Sequence, residues 1–293
     1  MRERFIRTGP RGLSLCLCEW GPETGPVTVV LHGFLEQGAA WDAVARALDR
    51  RVVAPDHRGH GRSEHIGAGG FYHFWDYIPD VDAVIDAVSP GSPVDLVGHS
   101  MGGTMACLYA ATRPDRVRRL ALIEGLGPPD GAASALDRPK RFTDAVRTPP
   151  VHRPMDSLDD AAGRIRRFTP SMSEQRSREL AARVSRPLSS DESAAAGLSP
   201  TARTWSWDPL HRARNPLPFT TERFLPFLGA LACPVLHVKG STSGFTPDDH
   251  AERAARIGDL RETALPGGHM LHHDVPGPLA TVLTDFFDAP TES

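Results

Sequence analysis

The segment Gly98-His99-Ser100-Met101-Gly102 sets a hydroxyl between two glycines, directly after the apolar run "VDLV" and directly before "MGGTMACLYAATRP", which has helical spacing. A strand that turns this sharply into a helix needs glycine two positions before and two after the turn residue, because side chains there would strike the turn and the adjoining strands. The chemistry this implies is nucleophilic: a serine at the carboxyl end of a sheet, facing a helix N-terminus, attacks a carbonyl carbon. Such a serine needs a base to take its proton and two amides to hold the developing oxyanion.

Thirteen histidines are available as the base. His269 stands out because "LPGGHMLHHDVP" places it after a strand and a double-glycine turn, where a loop side chain can swing over the nucleophile. His272 and His273 follow at the start of the next helix and are its rivals. One oxyanion donor is expected from the backbone of Met101, the residue after the serine. The second is expected from Phe34, since "LHGF" ends the first long apolar strand, with His32 as a loop histidine bonded to neighbouring backbone.

These groups need a sheet to carry them. "VTVVLHG" (27–33), "RVVAPD" (51–56), "PVDLVGHS" (93–100) and "VRRLALIEG" (117–125) are strand-like, and helical stretches lie at 39–50, 74–88 and 101–114. Alternation of this kind predicts a mainly parallel sheet covered by helices on both faces. From about residue 127 to 227 proline, serine and arginine dominate, and short helices are expected at 157–168 and 173–184. That stretch cannot extend a parallel sheet, so it is expected to form a helical cap. Strand–helix alternation then resumes with "PVLHVKG", a helix near 248–257, "RETALPGG" and a final helix near 277–287. The expected division is a core over 1–127 and 228–293 interrupted by a cap over 128–227.

Bulk composition narrows the possibilities. A net charge of −3 provides no basic field for nucleic acid, and the only lysines are Lys140 and Lys239. No apolar run approaches the ~20 residues of a membrane span. "LSLCLC" near the N-terminus is too short for a signal-peptide core and alternates like a strand. Cys16 and Cys18 share a strand face, which is poor geometry for a mutual disulfide, so a reduced, cytoplasmic protein is expected.

The set "LHGF", "DHRGHGRSE", "VGHSMGG" and "PGGHMLHHDVP", in this order, resembles the α/β-hydrolase superfamily over the whole chain outside the cap. Within it, "EGLGPP", "SLDDAAGRIRRFTPSMSEQRSRELAAR" and "WSWDPLHRARNPLPFTTERFLPFL" are similar to the serine hydrolase-like protein branch. The resemblance implies a sheet of about eight strands, a cap inserted after the sixth and a serine–acid–histidine order along the chain. The sequence departs from it at the acid. Many members carry an aspartate after the seventh strand of the core sheet, and in "KGSTSGFTP" that register gives Gly244. Asp248 and Asp249 follow several residues later and read as helix-capping charges, leaving them as alternative acids. Glu124 ends the otherwise apolar sixth strand, where a carboxylate needs a partner to offset its desolvation, and it is the favoured acid.

Other constellations are weaker. His57, His60 and His65 in "DHRGHGRSEH" lack the rigid spacing of metal ligands, and in the resemblance Asp56 and Arg58 of this loop tie it to the core. No metal or cofactor is implied, because neither a phosphate-binding nor a dinucleotide fingerprint is present. Phe34, His99, Trp205 and Trp207 are candidate walls of a substrate pocket. The reading is thus a serine hydrolase acting on a small-to-medium ester or related acyl compound through Ser100, His269 and Glu124. A lyase, a C–C bond hydrolase or an acyltransferase could use the same residues. A non-catalytic member binding a small ligand is a further alternative, and the oligomeric state is not legible.

Overall fold

The computed structural model describes residues 1–9, 12–131, 136–170, 172–213 and 215–290. Among the described residues ten strands run in chain order: β1 (Arg2–Arg7), β2 (Ser14–Trp20), β3 (Val27–Leu31), β4 (Arg51–Pro55), β5 (Val94–His99), β6 (Val117–Ile123), β7 (Ser185–Pro187), β8 (Arg203–Trp205), β9 (Val235–Gly240) and β10 (Leu260–Leu265). Eight of them make one sheet in the order β1-β2-β4-β3-β5-β6-β9-β10, while β7 and β8 form a separate antiparallel pair. β1 and β2 are antiparallel to their neighbours and every other pairing in the large sheet is parallel.

The parallel strands read as continuous apolar runs because both faces are covered. Alternate residues feed two separate cores. Val29, Leu31, Leu96, Leu120 and Leu122 join one cluster, with Val84 and Ile85 of α2 (Tyr77–Val88) and Met105 and Leu108 of α3 (Met101–Thr112). Val30, Val97, Ala121 and Ile123 join the other, with Val44 of α1 (Asp42–Ala47) and Leu279, Leu283 and Phe287 of α11 (Pro276–Asp288). Pro79 falls in the first turn of α2, where its missing N–H breaks no intrahelical bond, and the helix is led in by a 3₁₀ turn over Phe74–Asp76.

The inserted segment carries α4 (Asp137–Arg147), α5 (Leu158–Phe168), α6 (Glu174–Val184), the β7–β8 pair and α7 (Ser190–Ala195). It owns a small core of Met155, Ala161, Ala162 and Ala181, whose short side chains let α5 and α6 approach closely. Ser157 and Ser173 cap these helices by accepting the amide N–H groups of Asp160 and Arg176. Residues 132–135, 171 and 214 of the expected cap lie outside the described residues.

The expected cap boundary at 227 falls inside α8 (Thr221–Gly229), and this helix belongs to the core instead. Phe224 and Leu228 are fully buried in the cluster that holds α3. α9 (His250–Ala254) and the one-turn α10 (Leu271–Asp274) complete the α-helices among the described residues, so His272 and His273 sit on a short element of their own before α11. Among the described residues no helix is long and apolar enough to cross a membrane.

Candidate active site

Ser100 sits between β5 and α3 with φ 51° and ψ −113°, a left-handed conformation that costs roughly 1–3 kcal/mol. Its surroundings enforce the turn. The Ser100 N–H donates to the Ile123 carbonyl at 2.9 Å, and its carbonyl accepts from Gly103 N at 3.0 Å. The flanking glycines are required by contact: a Cβ on Gly98 would lie 2.5 Å from the Gly102 carbonyl oxygen, and one on Gly102 would lie 2.2 Å from that of Leu31. Among the described residues the Ser100 hydroxyl makes no hydrogen bond, and neither Phe34 N–H nor Met101 N–H has an acceptor.

One strand over, Glu124 directly follows β6 and is also left-handed, with φ 57°. That bend turns its carboxylate across the strand ends. Gly240 N–H donates to Oε1, Ser243 Oγ–H donates to Oε2, and His269 Nδ1 lies 3.0 Å from Oε2. Burial alone would raise the Glu124 pKa, but the bonds from His269, Ser243 and Gly240 outweigh it and hold the carboxyl below its ordinary value. With Nδ1 donating, the Nε2 of His269 is left as a proton acceptor. Phe245 stacks on the His269 ring, with centroids 4.0 Å apart and a 25° interplanar angle.

The alternative acids are engaged elsewhere. Asp249 accepts from Thr221 Oγ1 and, at 2.8 Å, from Arg253 Nη2. Asp248 is exposed, and neither aspartate bonds to His269. Arg253, fully buried, also donates to the Leu126 carbonyl at 2.9 Å and so braces the chain just beyond Glu124.

A second charged group, not anticipated from the sequence, lies beneath the site. Glu36 Oε2 accepts Gly33 N–H at 2.8 Å and His99 Nδ1–H at 3.1 Å, while Oε1 is 3.3 Å from His272 Nε2. His99 Nε2–H in turn donates to the His269 carbonyl at 2.9 Å. Both partners of His99 are acceptors, so its ring carries two N–H groups and a positive charge. Burial opposes that charge, but Glu36 overcomes it and raises the His99 pKa. Burial likewise opposes the Glu36 charge, yet His99 and His272 hold its carboxyl well below the usual range. His99, expected on the pocket wall, is instead 1% exposed, because its side chain is spent on joining the Glu36 loop to the His269 loop. A lone acid three residues after Gly33 was the available signal.

The other three expected wall residues do line a common cleft. Phe34, Trp205 and Trp207 bound a mostly apolar space of about 470 Å³, with Ile165, Phe168 and Met270. In the loop after β4, Asp56 accepts from Gly38 N and Arg62 N, each at 2.8 Å, and Arg58 grips Asp80 through two bonds of 2.6 and 2.8 Å. His57 and His60 are buried beside His32 and His211 in a stack of imidazoles. His65 bonds the Ser206 carbonyl at 3.2 Å.

The sequence profile of the family described as "alpha/beta hydrolase fold" matches residues 26–276. The chain belongs to that family. Among its relatives, this α/β-hydrolase is 27% identical over 284 residues to a "Serine hydrolase-like protein" of Danio rerio, covering 91% of this chain and 83% of that protein. It is 27% identical over 290 residues to a "Probable serine hydrolase" of Drosophila melanogaster, covering 91% and 82%. In structure it resembles the "Thioesterase Domain From Curacin Biosynthetic Pathway", with a TM-score of 0.84 and 33% identity over 97% of this chain and 98% of that one. The serine hydrolase-like resemblance and the eight-stranded sheet expected from the sequence both hold.

Proposed function

We propose that this α/β-hydrolase is a serine hydrolase of small-to-medium carboxylic esters and thioesters, with Ser100 as nucleophile, His269 as base and Glu124 as acid. The observation that carries this reading is the Glu124–His269 bond of 3.0 Å beside a left-handed Ser100 whose hydroxyl is unbonded among the described residues. His269 Nε2 takes the Ser100 proton as Oγ bonds to the carbonyl carbon. The unpaired amides of Phe34 and Met101 receive the oxyanion. Collapse of the tetrahedral adduct expels the alcohol or thiol with the proton from His269. Water, activated by the same imidazole, then releases the acid and restores Ser100.

Glu124 holds the imidazole in the tautomer that leaves Nε2 free and offsets its charge once protonated. The apolar cleft beside Phe34, Trp205 and Trp207 suits a partly hydrophobic acyl or alcohol chain. Likeness to a thioesterase domain and to a serine hydrolase-like protein supports acyl transfer to water. The test is labelling with a fluorophosphonate ester followed by peptide mass spectrometry. Adduct on Ser100, with ester turnover abolished by Ser100→Ala, is the expected result. A folded protein that stays unlabelled at Ser100 and turns over neither ester nor thioester would overturn the reading in favour of a ligand-binding role.

A further inference from the structure

Away from the Ser100 site, β9, α9 and β10 bring three metal-ligating groups to one point. His237 and Glu262 are register partners on the parallel strands β9 and β10, so their side chains leave the same face of the sheet. His250 opens α9, which lies over that face, and its ring centroid is 5.3 Å from that of His237. Two imidazole nitrogens converge on a single carboxylate oxygen: His237 Nδ1 at 3.0 Å and His250 Nε2 at 2.9 Å from Glu262 Oε1. The three ligand atoms lie within 4.8 Å of one another.

We propose that His237 Nδ1, His250 Nε2 and the Glu262 carboxylate form a binding site for one zinc-like divalent transition-metal ion. Two nitrogens and one carboxylate oxygen suit zinc, whereas calcium and magnesium want oxygen shells. Tetrahedral zinc with bonds near 2.0–2.1 Å sets its ligands roughly 3.3 Å apart, so the two nitrogen–oxygen distances of 3.0 and 2.9 Å need open by only a few tenths of an ångström. Binding moves the proton of each ring to its other nitrogen, so that the lone pair replaces the N–H now facing Glu262. Glu262 is 38% exposed, which leaves an entry path and a fourth position for water.

A second trio, Glu36, His99 and His272, also has its ligand atoms close together. There the two histidines are sealed from solvent under Trp41, and the Gly33 amide already occupies Glu36 Oε2. The outer site is therefore the one an ion can reach. It has a structural consequence as well. Glu124, Phe245, His237 and His250 line one small recess. An ion on His250 fastens the far end of segment 241–249, which supplies Ser243 to Glu124 and Phe245 to His269.

The test is calorimetric titration of chelator-stripped protein with zinc chloride, for the natural chain and for His250→Ala and Glu262→Gln. The expected result is one saturable equivalent in the natural chain and affinity at least roughly tenfold weaker in both variants. Ser100→Ala protein should bind zinc as the natural chain does, which separates this site from the hydrolytic one. Absence of a saturable equivalent would overturn the proposal. So would an equivalent retained unchanged by both variants, since the ion would then sit elsewhere.

Discussion

Replacing Glu124 by glutamine keeps its shape and removes its charge, and the surrounding donors dictate which way the new amide must face. Gly240 N–H can only donate, so the glutamine oxygen is held at the Oε1 position. The amide NH₂ then occupies the Oε2 position, opposite His269 Nδ1. Ser243 can adapt by rotating its hydroxyl to accept, but His269 must expose a lone pair at Nδ1 and carry its proton on Nε2. That tautomer cannot accept the Ser100 proton. A carboxylate-to-amide change acting in this way lowers kcat by about 10⁴, or about 5.5 kcal/mol of barrier. KM should move little, because the Michaelis complex does not require a charged acid. The assay is steady-state hydrolysis of a p-nitrophenyl ester by the natural chain, Glu124→Gln and Asp249→Asn, with melting curves to show that all three fold. Asp249→Asn should retain kcat within a few-fold. A Glu124→Gln enzyme within tenfold of the natural kcat, or an Asp249→Asn enzyme that is the dead one, would refute the assignment of the acid.

Two further outcomes follow from the geometry. Gly102→Ala places a methyl 2.2 Å from the Leu31 carbonyl oxygen, so it should cost several kcal/mol or abolish folding, read as the urea midpoint, whereas Gly163→Ala in the cap has open space and should be neutral or stabilising. Burial depresses His57 to about 4, His60 to about 3 and His211 to about 2, all below 6.5, so the unfolded chain takes up protons first as the pH falls. Stability from these groups is present above pH 6.5 and is lost as pH drops through their folded values. His57 alone accounts for about 3 kcal/mol between pH 6.5 and 4. Asp56, raised to about 6 by burial, acts in the opposite direction and offsets roughly one histidine. Urea unfolding should therefore show a net loss of several kcal/mol between pH 7 and 4, and a flat profile would count against neutral buried imidazoles.

The core sheet was legible because its parallel strands are buried on both faces, which writes unbroken apolar runs into the sequence. β1, reading "RERFIR", lacked that signal: it is an edge strand with mostly exposed side chains, and its place comes from backbone pairing with β2. The packing of α8 was not legible for a related reason. Residues 205–228 look uniform in composition, while the burial of Phe224 and Leu228 against α3 depends on three-dimensional packing. Glu124 could be singled out because a carboxylate at the end of an apolar strand demands a partner. Ser243 could not, because it works through a bond to a residue 119 positions away, and Glu36 offered only its place three residues after Gly33, which does not announce its bond to His99.

The insertion between β6 and α8 separates the site along the chain as well as in space. The proposed nucleophile and acid both come from residues 94–124, a single strand–helix–strand unit, whereas the base arrives about 145 positions later, on the far side of the cap. A chain cut in an exposed cap turn, such as the segment between α7 and β8, would yield one fragment holding Ser100 and Glu124 and another holding His269. Neither fragment has a complete relay. Hydrolysis would then return only when the halves reassemble, so the fold is a natural scaffold for a two-piece enzymatic reporter of protein proximity.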